Sequence, residues 1–182
     1  MIDFGLGIRL NRIQPTEMHL IKCNRNSFNI RKWCRQKDLI HDAEQNLWFE
    51  RQMQDPSIEM YSILDPNSLI IGVCGLTGID KHNRNAEFSL YIFNTSHRRG
   101  FGRKALKTLF NHGFWNLGLN MIWGESFDQN PARILFKDIG MTEDGKKRQA
   151  YYKHGEFIDS YFYTVTMAEW EKMPYSNKYE TN

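Results

Sequence analysis

The spacing of apolar residues changes along the chain, and each change marks an element. "LGIRLNRI" at 6–13 alternates apolar and polar positions with the two-residue period of a strand, and Pro15-Thr16-Glu17 then offers a helix start before "EMHLIKCN". A short helical stretch, "FNIRKWCR", follows. Asp42 is read as the cap of "AEQNLWFERQMQ", where Leu47, Trp48, Arg51 and Gln52 recur at helical spacing and Asp55-Pro56 ends the run. Three strand-like runs come next: "EMYSIL", "LIIGVCGLTGI" and "AEFSLYIF". Short polar turns at 65–67 and 80–85 separate them, which predicts an antiparallel meander.

From Arg103 the period becomes helical again, with Leu106, Leu109, Phe110, Phe114 and Leu117 on one face and Gly118 as the stop. "NMIWGESF" reads as a strand and "PARILFKDI" as a helix closed by Gly140. The segment 145–167 reads as a hairpin turning at His154-Gly155. The order is strand, helices, three strands, helix, strand, helix, two strands. It predicts an α+β fold with one large central sheet. The expected domain covers 1–172, followed by a polar, loose tail over 173–182.

At 182 residues the chain has the length of one domain, and 41% hydrophobic with 25% charged residues is the balance of a folded protein rather than a disordered one. A net charge of +3 is small for a bulk polyanion binder, so no nucleic-acid partner is expected. Cys23, Cys34 and Cys74 form no CxxC pair and no matching His spacing, so neither a disulfide frame nor a metal site is expected. With Asp3 in a start that lacks a long apolar core, the reading is a cytoplasmic protein with no membrane partner, as a monomer or homodimer.

Chemistry concentrates in "NTSHRRGFGRKAL", residues 94–106. The loop "HRRGFG" leaves a strand and opens a helix. First-turn N–H groups there lack intrahelical partners, and the helix dipole adds partial positive charge, so the place suits a phosphate or pyrophosphate. Gly100 and Gly102 let the backbone approach such an anion, while Arg98, Arg99, Arg103 and Lys104 add charge. A strand-to-helix turn with solvated basic residues has the same composition. The nucleotide P-loop is excluded because GxxxxGK followed by Ser or Thr is absent. A dinucleotide fold is excluded because the third glycine is missing and the preceding strands read as antiparallel.

With these segments in this order, the sequence resembles the GNAT superfamily of acyl-CoA N-acyltransferases. That family carries Gln or Arg, two residues, Gly, one residue, then Gly or Ala between its fourth strand and the following helix. "HRRGFG" matches at Gly100 and Gly102, with His97 where Gln or Arg is usual. "IGVCGLTGID", "NRNAEFSLYIF", "NMIWGESFDQNPARILFKDIGM" and "HGEFIDSYFYTVTMAEW" also match, so the resemblance spans roughly residues 7 to 170. The pattern is similar to the branch of ribosomal-protein N-terminal, spermidine and amino-sugar acetyltransferases.

The resemblance implies a single-domain GNAT-like fold, a mixed, mostly antiparallel sheet of about seven strands flanked by helices. It implies acetyl-CoA as co-substrate, no metal, and a small-molecule or peptide amine as acceptor. His97, Arg98, Arg99, Gly100, Phe101, Gly102 and Arg103 would hold the pyrophosphate. The backbone of Leu90, Tyr91 and Ile92 would hold the pantetheine arm, with Asn130 beside it and Arg133 reaching the phosphates. Phe136, also expected among the coenzyme-binding residues, stands where the family often has a tyrosine acid, so Tyr91, Ser126 or water is left to protonate the thiolate.

Period two puts Glu87, Ser89 and Tyr91 on one face of their strand and Phe88, Leu90 and Ile92 on the other. The resemblance puts Glu87 where some members of the family hold their general base; it is either that base or a strand carboxylate paired with a Lys or Arg. Asn130 has the alternative role of capping the helix that Pro131 starts. Trp33, Trp48 and Phe49 are expected to pack the N-terminal helices, and Asp42, Glu44, Glu50 and Glu59 would give an acidic rim. An acyl-CoA-binding sensor with little turnover is the second reading, and nucleic-acid binding through 97–104 and 146–148 the third.

Overall fold

A computed structural model describes residues 1–93 and 100–178. Seven strands form one sheet in the order β1-β2-β3-β4-β5-β7-β6. β1 is Arg9–Arg12, β2 Glu59–Leu64, β3 Ile70–Asp80, β4 Asn85–Ile92, β5 Met121–Phe127, β6 Thr142–Lys153 and β7 Glu156–Thr166. Neighbouring strands are antiparallel except β4 and β5, which are parallel and joined by the crossover helix α4, Phe101–Asn111. The N-terminal helices are α1 (Met18–Asn26), α2 (Phe28–Arg31) and α3 (Asp42–Gln54). Helix α5 is Ala132–Asp138 and α6 Met167–Trp170.

The sheet is covered on both faces because its central strands carry apolar residues on both. On one face Leu106, Leu109 and Phe110 of α4 pack with Leu76, Ala86, Phe88, Ile122, Phe136 and Trp170. Against the other, Met18, Ile21 and Ile30 pack on Met60 and Val73, with Trp48 and Phe49 at the margin. Helix α4 widens into a π-helical turn at His112–Asn116 and stops at Gly118, whose φ of 67° suits glycine. The β6–β7 hairpin turns through His154 and Gly155, both at positive φ.

Three expectations change. Leu47 projects from α3 and is 63% exposed, whereas Gln45 and Gln52 are the residues that α3 buries. Asp42 lies inside α3 and pairs with Lys22; the end is tied instead by Glu44, whose carboxylate accepts the His41 N–H at 2.9 Å. The first part of the polar tail packs back, with Tyr175 against Trp170 and the Asn177 N–H on Asn111 Oδ1 at 3.1 Å. Among the described residues no helix is long and apolar enough to cross a membrane.

Gly124 marks the tightest point between β5 and the core. A Cβ there would lie 2.2 Å from Phe88 Cε1, and the Phe88 ring is boxed edge-on by Phe110 and Phe136 at 5.4 and 5.0 Å. With no direction in which to yield, Gly124→Ala is expected to cost ~1–3 kcal/mol of stability, read as a lower urea midpoint.

Candidate active site

β4 and β5 stay together for only three residue pairs, Asn85↔Met121, Ala86↔Ile122 and Glu87↔Trp123. Beyond them β4 keeps its β3 partner through Ile92, while β5 follows β7 through Phe127. The parallel pair therefore splays, and from Phe88 to Tyr91 the β5-facing edge of β4 has no strand partner among the described residues. Helix α4 begins at this splayed end. Gly100 precedes it at φ 74°, and among the described residues nothing beyond its chain neighbours lies within 4 Å of where a Cβ would stand. Gly102 sits over the gap, where a Cβ would meet Leu135 of α5 at 3.4 Å and Leu90 and Ile92 of β4 at 3.6 Å. Among the described residues no side chain caps this start. Lys104 N–H bonds Gly100 O, and the N–H groups of Phe101, Gly102 and Arg103 have no acceptor among the described residues. Arg103 itself is turned to Asp138 at 2.6 Å. His97, Arg98 and Arg99, expected to join this cradle, lie outside the described residues.

The alternation read from the sequence holds along β4. Phe88, Leu90 and Ile92 face α4, whereas Glu87, Ser89 and Tyr91 line a cavity of about 550 Å³ under the N-terminal helices. Thr77, Trp48, Glu44, Asp38, Arg25 and Arg35 complete much of its wall. Of the two roles open for Glu87, the ion pair is present: its carboxylate bonds the Arg35 guanidinium. Tyr91 lies under Arg25, 5.2 Å from the ring centre, and burial pushes its hydroxyl pKa up so that it stays protonated.

Arg35, Glu125 and Tyr151 were not singled out in the sequence, and all three converge here. Glu125 shares the Glu87 face because Trp123 is the register partner of Glu87 and side chains two apart on β5 point the same way. Its side chain is 4% exposed. Tyr151 donates to Oε2 at 3.0 Å, Arg35 Nη1 stands 3.8 Å from the same oxygen, and Lys147 Nζ 3.7 Å from Oε1. Burial first, then the bond to Glu125, raises the Tyr151 pKa.

The remaining candidates lie on the α4 side. Ser126 is buried there, its Oγ without a hydrogen-bond partner among the described residues, and Tyr91 is on the opposite face. Phe136 is a core ring edge-on to Phe88 and Tyr163. Asn130 Oδ1 accepts the Ala132 N–H at 3.0 Å and so ties the start of α5. Arg133 is engaged by Asp128 at 2.6 Å, Glu143 at 3.3 Å and the Tyr163 hydroxyl at 2.8 Å. The acidic rim is reduced to Glu44, with Asp38 added. Glu59 points to the other end of the sheet, where burial raises its pKa less than His112, Tyr61 and Arg12 lower it.

The Arg133 network fastens α5 to the β6–β7 pair. Lys137 first, then Tyr163 and Arg133, hold Glu143 at a pKa of about 2, below the ~4.3 of a free glutamate. A depressed carboxylate contributes stability above its unfolded pKa and loses it as pH falls through the folded one. Urea midpoints are thus expected to fall between pH ~4.3 and about 2, and Glu143→Gln to flatten that part of the profile.

The model of the acetyltransferase (GNAT) domain matches residues 8–142, most of the chain. The chain belongs to the GNAT acetyltransferase domain family. Among curated relatives, the uncharacterized N-acetyltransferase p20 of Bacillus licheniformis is 28% identical over 56% of this chain and 57% of its own length. Spermidine N(1)-acetyltransferase of Vibrio cholerae serotype O1 is 21% identical over 84% of this chain and 88% of its own. The crystal structure of spermidine N-acetyltransferase from Vibrio cholerae in complex with CoA and spermine superposes with a TM-score of 0.86 at 20% identity, covering 94% of this chain and 99% of that one. The resemblance and the seven-stranded single-sheet fold expected for this GNAT domain are thus both present.

Proposed function

We propose that this GNAT domain moves an acetyl group from acetyl-CoA to a primary amine. The reading is carried by one observation: β4 and β5 separate after Glu87 and Trp123 at the same end where α4 starts with N–H groups that have no acceptor among the described residues. Those groups, on Phe101, Gly102 and Arg103, fit a pyrophosphate, since oriented N–H donors and the helix dipole both favour an anion. The pantetheine arm would lie along the β4 edge at Leu90, Tyr91 and Ile92, with Asn130 at the facing end of β5. A backbone N–H of that edge would then polarise the thioester carbonyl.

Attack requires an uncharged amine, so Glu87 takes the proton from the acceptor ammonium once its pairing with Arg35 gives way. Nitrogen then bonds the acetyl carbon, the carbon–sulfur bond breaks, and the proton that the nitrogen sheds as it becomes an amide passes through water to the departing sulfur. The leaving thiolate needs little help, its thiol resembling a Cys of pKa ~8.5. Tyr91, kept protonated by burial, serves as a hydrogen-bond donor to the sulfur. Ser126, Phe136 and Arg133 act through packing and the anchoring of α5. The spermidine named for the Vibrio cholerae relative supports a small amine as acceptor, and free thiols at Cys23, Cys34 and Cys74 support a cytoplasmic setting.

The Arg35 pairing also favours a second reading, an acyl-CoA-binding module with little turnover. Thiol release from acetyl-CoA over a panel of amines, amino sugars and peptides separates the two. Acceptor-dependent thiol is expected; coenzyme binding without it would establish the module.

A further inference from the structure

The acceptor cavity contains a cation supplied by the protein. Arg35 reaches over from the segment after α2 and stands between two carboxylates, bonding Glu87 and lying 3.8 Å from Glu125. The segment that carries it is anchored: Lys153 Nζ, from the β6–β7 hairpin, donates to the carbonyl oxygens of Arg31 and Gln36 at 3.3 and 2.6 Å and also to that of Cys34. The guanidinium end is less confined, its side chain being 53% exposed. A fixed backbone with a long, half-exposed side chain lets the charged group swing to water without moving the fold.

Glu125 has no such freedom. It is buried at the splay, and its Oε1 lacks a hydrogen-bond donor among the described residues. A carboxylate in that position is stabilised only while cations and donors stay close. Tyr151 fills one position and Lys147, at 3.7 Å and 53% exposed, gives partial compensation. If Arg35 leaves, Glu87 and Glu125 face one another with that compensation alone. The reacting ammonium compensates Glu87 alone, by handing its proton to that carboxylate before it attacks, and leaves Glu125 without the cation it had.

We infer that Arg35 occupies the place of a second, non-reacting cationic group of the acceptor, and that Glu125 is the specificity-determining residue that receives this group. The acceptor class is therefore an amine with a second positive charge along an aliphatic chain. The inference rests on the acetyltransferase reading for its purpose, but equilibrium binding tests it without turnover.

Titration calorimetry with coenzyme A bound would compare a butane diamine with butylamine. The protein is expected to favour the diamine by ~10-fold or more, and Glu125→Gln to bring the two within ~3-fold. Arg35→Gln, which removes the internal competitor, is expected to tighten diamine binding by ~10-fold and butylamine binding less. Because Arg35 is half-exposed, that variant keeps the test decisive should Glu125→Gln fail to fold. A preference that survives in Glu125→Gln, or diamine binding weakened by Arg35→Gln, overturns the inference. Acetyl transfer to either amine is scored separately: its absence removes the acetyltransferase reading and leaves the binding ratios to decide the role of Glu125.

Discussion

Replacing Glu87 by glutamine is expected to lower acetyl transfer by ~10²–10⁴-fold at neutral pH, the range that a positioned general base contributes. The deficit should narrow as pH rises. An aliphatic ammonium of pKa ~10.4 increasingly deprotonates itself in alkaline solution, and the base is then not needed. The amide keeps the size of the side chain and its place on the cavity wall beside Ser89 and Tyr91. It also releases Arg35, so coenzyme binding is expected to be unchanged and acceptor KM to move less than kcat. Initial rates from pH ~7 to ~10 check this. An equal loss at every pH would assign Glu87 a structural ion pair with Arg35 and no base role.

The second large effect is expected at Gly100. A Cβ there has no described atom beyond its chain neighbours within 4 Å, but valine must adopt a φ of 74°. A left-handed residue with a branched side chain costs roughly 1–2 kcal/mol, which the helix start can avoid by turning its N–H groups away from their present direction. Each charge-assisted bond lost to the pyrophosphate is worth ~1.5–3 kcal/mol. Coenzyme A affinity is therefore expected to fall by roughly 10- to 100-fold for each bond lost. Gly118→Val is the control. Gly118, at the far end of the same crossover, also has positive φ and open space. It should lose similar stability yet keep coenzyme affinity. Calorimetric titration of both variants decides, and equal affinities would remove the cradle assignment.

The strands and the crossover were legible because their apolar periods are local: two along β4, three to four along α4. The alternation that set Glu87, Ser89 and Tyr91 on one face needed only that period. On helix α3 the spacing placed Gln52 correctly on the inward face but misjudged Leu47, because Gln45 takes the other inward position and polarity gave the wrong direction there. Glu44 displaced Asp42 as the tie at its start for a related reason, a distant lysine having claimed the Asp42 carboxylate. Arg35 was invisible for a different cause. Its partner is 52 residues away, and nothing in a basic loop predicts which carboxylate it will find. Glu125 was present in the alternation of β5, but its meaning comes from the parallel register with β4 and from Tyr151, on a strand read only as half of a hairpin.

The central claim is that the splay of β4 from β5, closed by the first turn of α4, holds acetyl-CoA with its thioester beside Glu87. A crystal structure of the protein with coenzyme A bound tests it most directly. The pyrophosphate is predicted to accept hydrogen bonds from the N–H groups of Phe101, Gly102 and Arg103, and the pantetheine arm to follow β4 from Ile92 toward Phe88. Coenzyme seated elsewhere, with the β4 edge and the start of α4 empty, would contradict it.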